Sequence, residues 1–287
     1  MKKVLIVLLF LFTGISFPLF AQEDEEEMFA TNSCTMIGLG GYNLRDTYLS
    51  PSTDINYTGW MARVMNERMK LLQRGDGRIS RQHIFNIEFG YTENGAGTAA
   101  EYAGFADYSL GYHYRWEELL PGLKVMAGAS GKLSAGFIYN PRNSNNPVSG
   151  KCDLDLNLSA IAIYDLHIKG YPVTLRYQTD IPFMGLLFSI HKGEPYYYLS
   201  QIGAGNVVSF SSLHNKFAMK NLFTADFPIR NFTLRAGYMN NIYRTHINKI
   251  HTHVISNAFM IGVVKEFVAF GGKKAKQHKH KFNSAYY

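Results

Sequence analysis

Leu123-Lys124-Val125-Met126-Ala127-Gly128-Ala129-Ser130-Gly131-Lys132-Leu133-Ser134-Ala135-Gly136-Phe137-Ile138-Tyr139 is the stretch that decides the fold. Its odd positions read Leu, Val, Ala, Ala, Gly, Leu, Ala, Phe, Tyr, and Lys124, Ser130, Lys132 and Ser134 fall between them. Successive side chains of a strand point to opposite faces, so the segment has one apolar face and one largely polar face. Asp153–Ile168 repeats the pattern with Leu154, Leu156, Leu158, Ala160, Ala162 and Tyr164 set against Asp153, Asp155, Asn157, Ser159 and Asp165. The same alternation runs through Tyr102–Trp116, Tyr171–Ile181, Phe217–Phe227 and Ile255–Phe267.

Soluble sheets alternate too, but their strands average about 5–6 residues. Here the alternation lasts far longer, and the polar face carries Lys, Asp, Arg and Glu in mid-strand. A sandwich would turn that face to water. A transmembrane barrel does the opposite, with the apolar face in lipid and the polar face lining the lumen. Tyr112, Tyr114, Trp116, Tyr139 and Tyr164 near strand ends suit interfacial aromatic girdles. Only a closed barrel satisfies every backbone group of a sheet in lipid.

Composition agrees. Of 287 residues 18% are charged and 14% aromatic, with 26 Gly and only 9 Pro. That apolar load excludes a disordered chain, and the few charges exclude a coiled coil. Beyond the N-terminus no stretch approaches the roughly 18 apolar residues of a spanning helix.

Met1-Lys2-Lys3 and the apolar run Val4–Phe20 read as a signal peptide cut after Ala21. No Cys follows the cut directly (Cys34 lies 13 residues downstream of Ala21), which excludes a lipoprotein. The expected organisation is a signal peptide over 1–21, an acidic periplasmic segment over 22–32, a barrel over 33–270 and a basic periplasmic tail over 271–287. Glu23-Asp24-Glu25-Glu26-Glu27 and the tail (Lys273, Lys274, Lys276, Lys279, Lys281, His278, His280) are expected as solvated flanks. Export excludes nucleic acid as a partner.

Turn signals at Arg74-Gly75-Asp76-Gly77, Leu120-Pro121-Gly122, Lys169-Gly170-Tyr171-Pro172 and Pro228-Ile229-Arg230-Asn231 predict short connections at one end. Longer polar connections are expected at 43–55, 93–101, 140–151, 183–215 and 243–252. Ten strands follow, over 33–42, 56–70, 79–92, 102–117, 123–139, 152–168, 171–182, 216–228, 231–242 and 253–268. Twelve is the alternative, since 206–213 could add strand structure. The fold class is therefore all-β, a transmembrane antiparallel barrel in the outer membrane with both termini periplasmic. Cys34 and Cys152 fall at opposite ends, too far apart for a disulfide.

The lumen is expected to hold Arg63, Glu67, Glu88, Asp107, Arg115, Lys132, Asp165, His167, Arg176, Asp180, Lys220, Asp226, Arg235 and Glu266, paired and filling a narrow interior. For catalysis at the lipid face, a nucleophile needs a His base in reach, and no His-x-Ser pair occurs. His251-Thr252-His253, with His246 nearby, lacks an acid or Cys to complete a metal set. Asp46, Asp54 and Glu194 are loop carboxylates without the spacing of a calcium site. No catalytic, metal or cofactor residue is expected, and no cofactor.

Three loop segments look specified: Thr47-Tyr48-Leu49-Ser50-Pro51, Asn140-Pro141-Arg142-Asn143-Ser144-Asn145-Asn146-Pro147, and Phe188-Ser189 with Gly193-Glu194-Pro195-Tyr196-Tyr197-Tyr198. On these segments the chain resembles a family of uncharacterised Gram-negative outer-membrane β-barrels of the domain-of-unknown-function kind, from about Thr35 to Phe267. The resemblance implies the barrel and its membrane, and brings no catalytic residues. Candidate surface-loop residues are Tyr48, Arg142, Asn143, Asn145, Asn146, Glu194, Tyr196 and Tyr197. Planar amides, an Arg and tyrosines suit saccharide headgroups.

The reading is a non-catalytic barrel with a charge-filled lumen and a structural or surface-interaction role through its outer loops. The alternatives are a hydrolase of phospholipid or lipid A, and a small diffusion channel. Expected partners are outer-membrane lipids and lipopolysaccharide, the barrel-assembly machinery during insertion, and an envelope protein.

Overall fold

A computed structural model describes residues 30–50, 52, 55–72, 77–196, 207–229, 232–267 and 284–285. The expected signal peptide and acidic run, and most of the basic tail, lie outside the described residues. The strands are β1 (Thr31–Asp46), β2 (Tyr57–Leu72), β3 (Ile79–Asn94), β4 (Ala100–Leu120), β5 (Leu123–Tyr139), β6 (Val148–Ile168), β7 (Tyr171–Phe188), β8 (Val208–Ser212), β9 (Lys216–Ile229), β10 (Phe232–Ile247) and β11 (Ile250–Phe267). Every pairing is antiparallel. β1 pairs with β11 and β6 with β7, so ten strands close into a barrel and β8 pairs with the end of β7 alone. This is a closed antiparallel β-barrel, and its phase is the one the alternation predicts.

Phe259 is 76% exposed and Leu39 71%, and Trp60, Phe85, Leu133, Leu158 and Phe223 also face outward. Meanwhile Arg63, Glu67, Arg176, Asp226 and Arg235 are buried inside. A protein in water would not bury the second set to expose the first. Aromatic rows mark both edges of the apolar band. Tyr91, Tyr102 and Tyr139 lie side by side toward the loop end, with ring centroids 5.2 and 6.2 Å apart. Tyr114 and Trp116 meet edge-on at 4.9 Å toward the end bearing the termini.

The strands run longer than the sequence predicts, so the connections at 43–55, 93–101, 140–151, 183–215 and 243–252 all shrink. The last shows why. β10 and β11 meet in a two-residue turn, Asn248-Lys249, with φ of 51° and 64°. Two left-handed residues match the twist of the flanking strands, and Asn is among the residues that tolerate that conformation. Residues 243–252, expected as loop, are therefore mostly strand. Of 183–215, β7 takes the start and β8 part of the rest, so the extra strand structure lies along one stave and adds none to the barrel.

Two luminal expectations fail: His167 is exposed beside the Lys169-Gly170 turn, and Glu266 is exposed at the rim. Strand alternation places a side chain by face but not by depth. The tail also departs from a solvated flank at its end. Ser284 is 8% exposed and Ala285 0%, and Asn32 Nδ2 donates to Ser284 Oγ at 3.1 Å. Ser284 Oγ donates in turn to Glu266 at 2.6 Å, which seats this part of the tail against the barrel mouth. Both cysteines are free, Cys34 buried and Cys152 exposed.

Close packing inside is tight enough to require glycine at Gly90, where an added Cβ would meet the Tyr42 ring and the Trp60 carbonyl. Gly90→Val is expected to lower stability by ~1–3 kcal/mol through overpacking. Gly95→Val, with nothing within 4 Å, should leave a urea titration unmoved. Equal midpoints for the two variants would contradict the packing.

Candidate functional site

Two regions concentrate polar chemistry, the lumen and the loop-end lid. In the lumen, Glu67 on β2 accepts from Arg176 on β7 through both carboxylate oxygens, at 2.7 and 2.9 Å. Glu67 also accepts from Arg235 on β10 at 3.2 Å, and Arg235 grips Asp226 twice at 2.6 Å. β2 and β7 lie five staves apart in either direction, so this bridge crosses the full bore. Gln82 and Gln178 cross it beside them at 2.9 and 3.0 Å.

Further along, Arg63 pairs with Glu88 and donates to Ser256 at 2.8 Å. Lys220 on β9 reaches Asp107 on β4 at 2.9 Å. Nearer the loops, Lys216 holds Asp153 at 3.0 Å and Asp155 at 2.7 Å, and Lys132 holds Asp155 at 3.3 Å. Bonds of this kind between ionised groups are the stronger class, and in a low-dielectric bore each charge needs its partner. The network crosses the bore by its own contacts.

The lid covers the loop end. Asp46, fully buried at the end of β1, accepts from Tyr48 N at 2.8 Å, Ser149 Oγ at 2.9 Å and Lys151 Nζ at 2.7 Å. Tyr48 O–H donates to the Glu194 carbonyl at 2.9 Å, and its ring meets Tyr196 edge-on at 5.8 Å. Gly150 N donates to Tyr196 Oη at 2.5 Å, and Asn143 donates to the Leu49 carbonyl at 3.0 Å. Burial pushes the Tyr48 hydroxyl well up from its ordinary range, with the nearby Tyr196 and Asp46 adding to it, so it stays a donor.

Of the candidate surface-loop residues, the structure brings Tyr48, Asn143, Glu194 and Tyr196 together inside this lid. Arg142 and Asn145 are exposed on its outer side, Arg142 bonded to the Thr98 carbonyl. Asn146 N donates to Asn143 at 2.9 Å and closes the loop on itself. Tyr197 and Asp54 lie outside the described residues. His246 and His251 stack at 3.9 Å on the outer wall, and Arg45 contacts His253 at 2.9 Å. Among the described residues no three His, Cys, Asp or Glu assemble as a metal set.

Two features escape the sequence reading. Glu101 and Asn140, bonded at 3.1 Å beside Tyr57, are buried under the lid. Ser212 Oγ lies 2.6 Å from His214 Nδ1 at the loop-end rim, between exposed Phe210 and Leu213. The signal was the Ser-x-His spacing, the reverse of the order sought.

A family model described as "Protein of unknown function (DUF3316)" matches residues 4–274. No curated protein matches the chain by sequence. Among solved structures the barrel is similar to the outer membrane protease OmpT from Escherichia coli, at 9% identity and a TM-score of 0.47, covering 85% of this chain and 99% of that one. It is also similar to the transport unit of the autotransporter AIDA-I from Escherichia coli, at 10% identity and a TM-score of 0.45, covering 89% and 94%.

Proposed function

The chain belongs to the DUF3316 family of proteins of unknown function, and from that premise we propose that it is a non-catalytic outer-membrane barrel, shut by its own ion pairs and acting through its loop-end surface. The observation that carries this reading is the Glu67 bridge to Arg176 and Arg235 across the bore. Short turns at the termini end and longer loops at the other support periplasmic termini. In that orientation the lid faces outward. Tyr48, Asn143, Glu194 and Tyr196 fix its shape, and Arg142, Asn145 and Asn146 are offered to lipopolysaccharide or to an envelope protein. Barrel-assembly machinery would insert the chain.

Planar-bilayer recording of the purified barrel tests it. No discrete conductance steps are expected, and a stable open channel would overturn the closed-lumen reading in favour of diffusion.

The Ser212–His214 contact favours a second reading, lipid hydrolysis, because it sets a hydroxyl against an imidazole at an apolar rim. Whole-envelope lipid mass spectrometry separates the two. An unchanged profile on deleting the protein supports the interaction barrel. A lysophospholipid or altered lipid A restored by wild type, and not by Ser212→Ala or His214→Ala, establishes the hydrolase instead.

A further inference from the structure

The outer wall at the termini end carries a charge pattern that the lumen does not explain. Register across β11, β1, β2 and β3 puts Lys265, Ser33, Arg68 and His83 in one row, with Thr31, Lys70 and Arg81 in the next. Arg68 and Arg81 are exposed, while Lys70 and His83 are half-buried. Between them opens a groove of about 420 Å³, walled by Arg68, Lys70, Arg81, Asn66, Phe85 and Tyr108. Among the described residues no carboxylate lines it, and no ion pair engages Arg68, Lys70 or Arg81. His83 Nδ1 and Tyr108 Oη, 2.7 Å apart, form part of its edge.

The place of the groove decides its ligand. Along β3 the outward residues run Phe89, Ile87, Phe85 and then His83 and Arg81, so the apolar band ends where the cations begin. Long basic side chains at such a boundary extend toward headgroups. Guanidinium groups match phosphate oxygens in paired, planar geometry. We propose that this groove binds the phosphate of a net-anionic glycerophospholipid, held by Arg68, Lys70 and Arg81, with an acyl chain lying along Phe85 and Ile87. Calling that leaflet periplasmic rests on the orientation proposed above. The groove does not, and its test uses vesicles with both leaflets alike, so a wrong orientation would leave the result intact.

Mature protein folded into vesicles of equal phosphatidylglycerol and phosphatidylethanolamine, then released in mild detergent, is read by native mass spectrometry. Each basic residue near a membrane surface contributes about fivefold in affinity for anionic lipid. Wild type is therefore expected to retain phosphatidylglycerol over phosphatidylethanolamine by ~10-fold or more. The Arg68→Gln/Lys70→Gln/Arg81→Gln variant should drop to near parity while keeping the gel mobility of a folded barrel. Arg68→Lys/Arg81→Lys, which preserves charge, should keep most of the preference. Equal retention of both lipids by wild type, or undiminished preference in the triple Gln variant, overturns the proposal. So does displacement of the lipid by sodium phosphate, which would make the site one for free phosphate. A preference that appears only after deletion of residues 23–27 would make the acidic run the occupant, and would overturn it too.

Discussion

Glu67→Ala is expected to cost the barrel about 3–5 kcal/mol, because it removes one partner of a buried ion pair. Glu67 is 0% exposed and Arg176 only 2%. Arg235 keeps Asp226, so the loss falls chiefly on Arg176, which gives up both of its bonds to the Glu67 carboxylate. Removing both charges should be far milder than removing one. Glu67→Met with Arg176→Leu fills the bore with apolar volume and is expected to recover most of the loss, since well-packed apolar replacements of buried pairs are often neutral. Urea unfolding in vesicles, followed by gel mobility, measures both variants. A Glu67→Ala barrel within about 1 kcal/mol of wild type would mean that water already solvates Arg176, as in an open bore. That result would also remove the main support for the closed lumen.

The same bridge shows what a linear reading can and cannot see. Alternation identifies Glu67, Arg176 and Arg235 as inward-facing, because inside and outside differ in polarity at every second residue. Their pairing is invisible, since Glu67 and Arg176 are 109 residues apart and meet only because ten staves close at one circumference. Strand ends are lost for a related reason. In Asn43–Asp46, at the end of β1, outward Asn43 and Arg45 are as polar as inward Asp46, so the period-two signal vanishes while the hydrogen bonding continues. Val148–Lys151 on β6 and Thr245–Ile247 on β10 extend past the lipid in the same way. The lid was half legible. Tyr48, Asn143, Glu194 and Tyr196 stood out by composition, but Asp46, at the centre of the lid, read only as one loop carboxylate among three.

That centre makes Asp46→Ala the second large effect, and a local one. Asp46 is the shared acceptor for the Tyr48 turn, for Ser149 on β6 and for Lys151. Thr252 on β11 adds a bond at 3.3 Å. Its carboxylate thus ties the loop after β1 to β6 on the far side of the barrel. Without it Lys151 keeps its bond to Thr252 but loses its ion pair, and the lid loses the contact that joins its parts. Breaking such a buried pair costs about 3 kcal/mol or more, which corresponds to a rise of ~100-fold in the open population. Protease added to intact vesicles should therefore cut within 47–50, 140–147 or 189–196 about 100-fold faster than in wild type, because cleavage tracks the open fraction when reclosing is fast. The staves should resist as before, since the Glu67 network lies deeper and shares no residue with Asp46. Asp46→Asn, which keeps an acceptor for Tyr48 N but no charge for Lys151, should fall between the two. Unchanged loop cleavage in Asp46→Ala would show that the lid is held by its tyrosines and asparagines alone. Accelerated cleavage throughout the barrel would show that lid and lumen unfold as one unit.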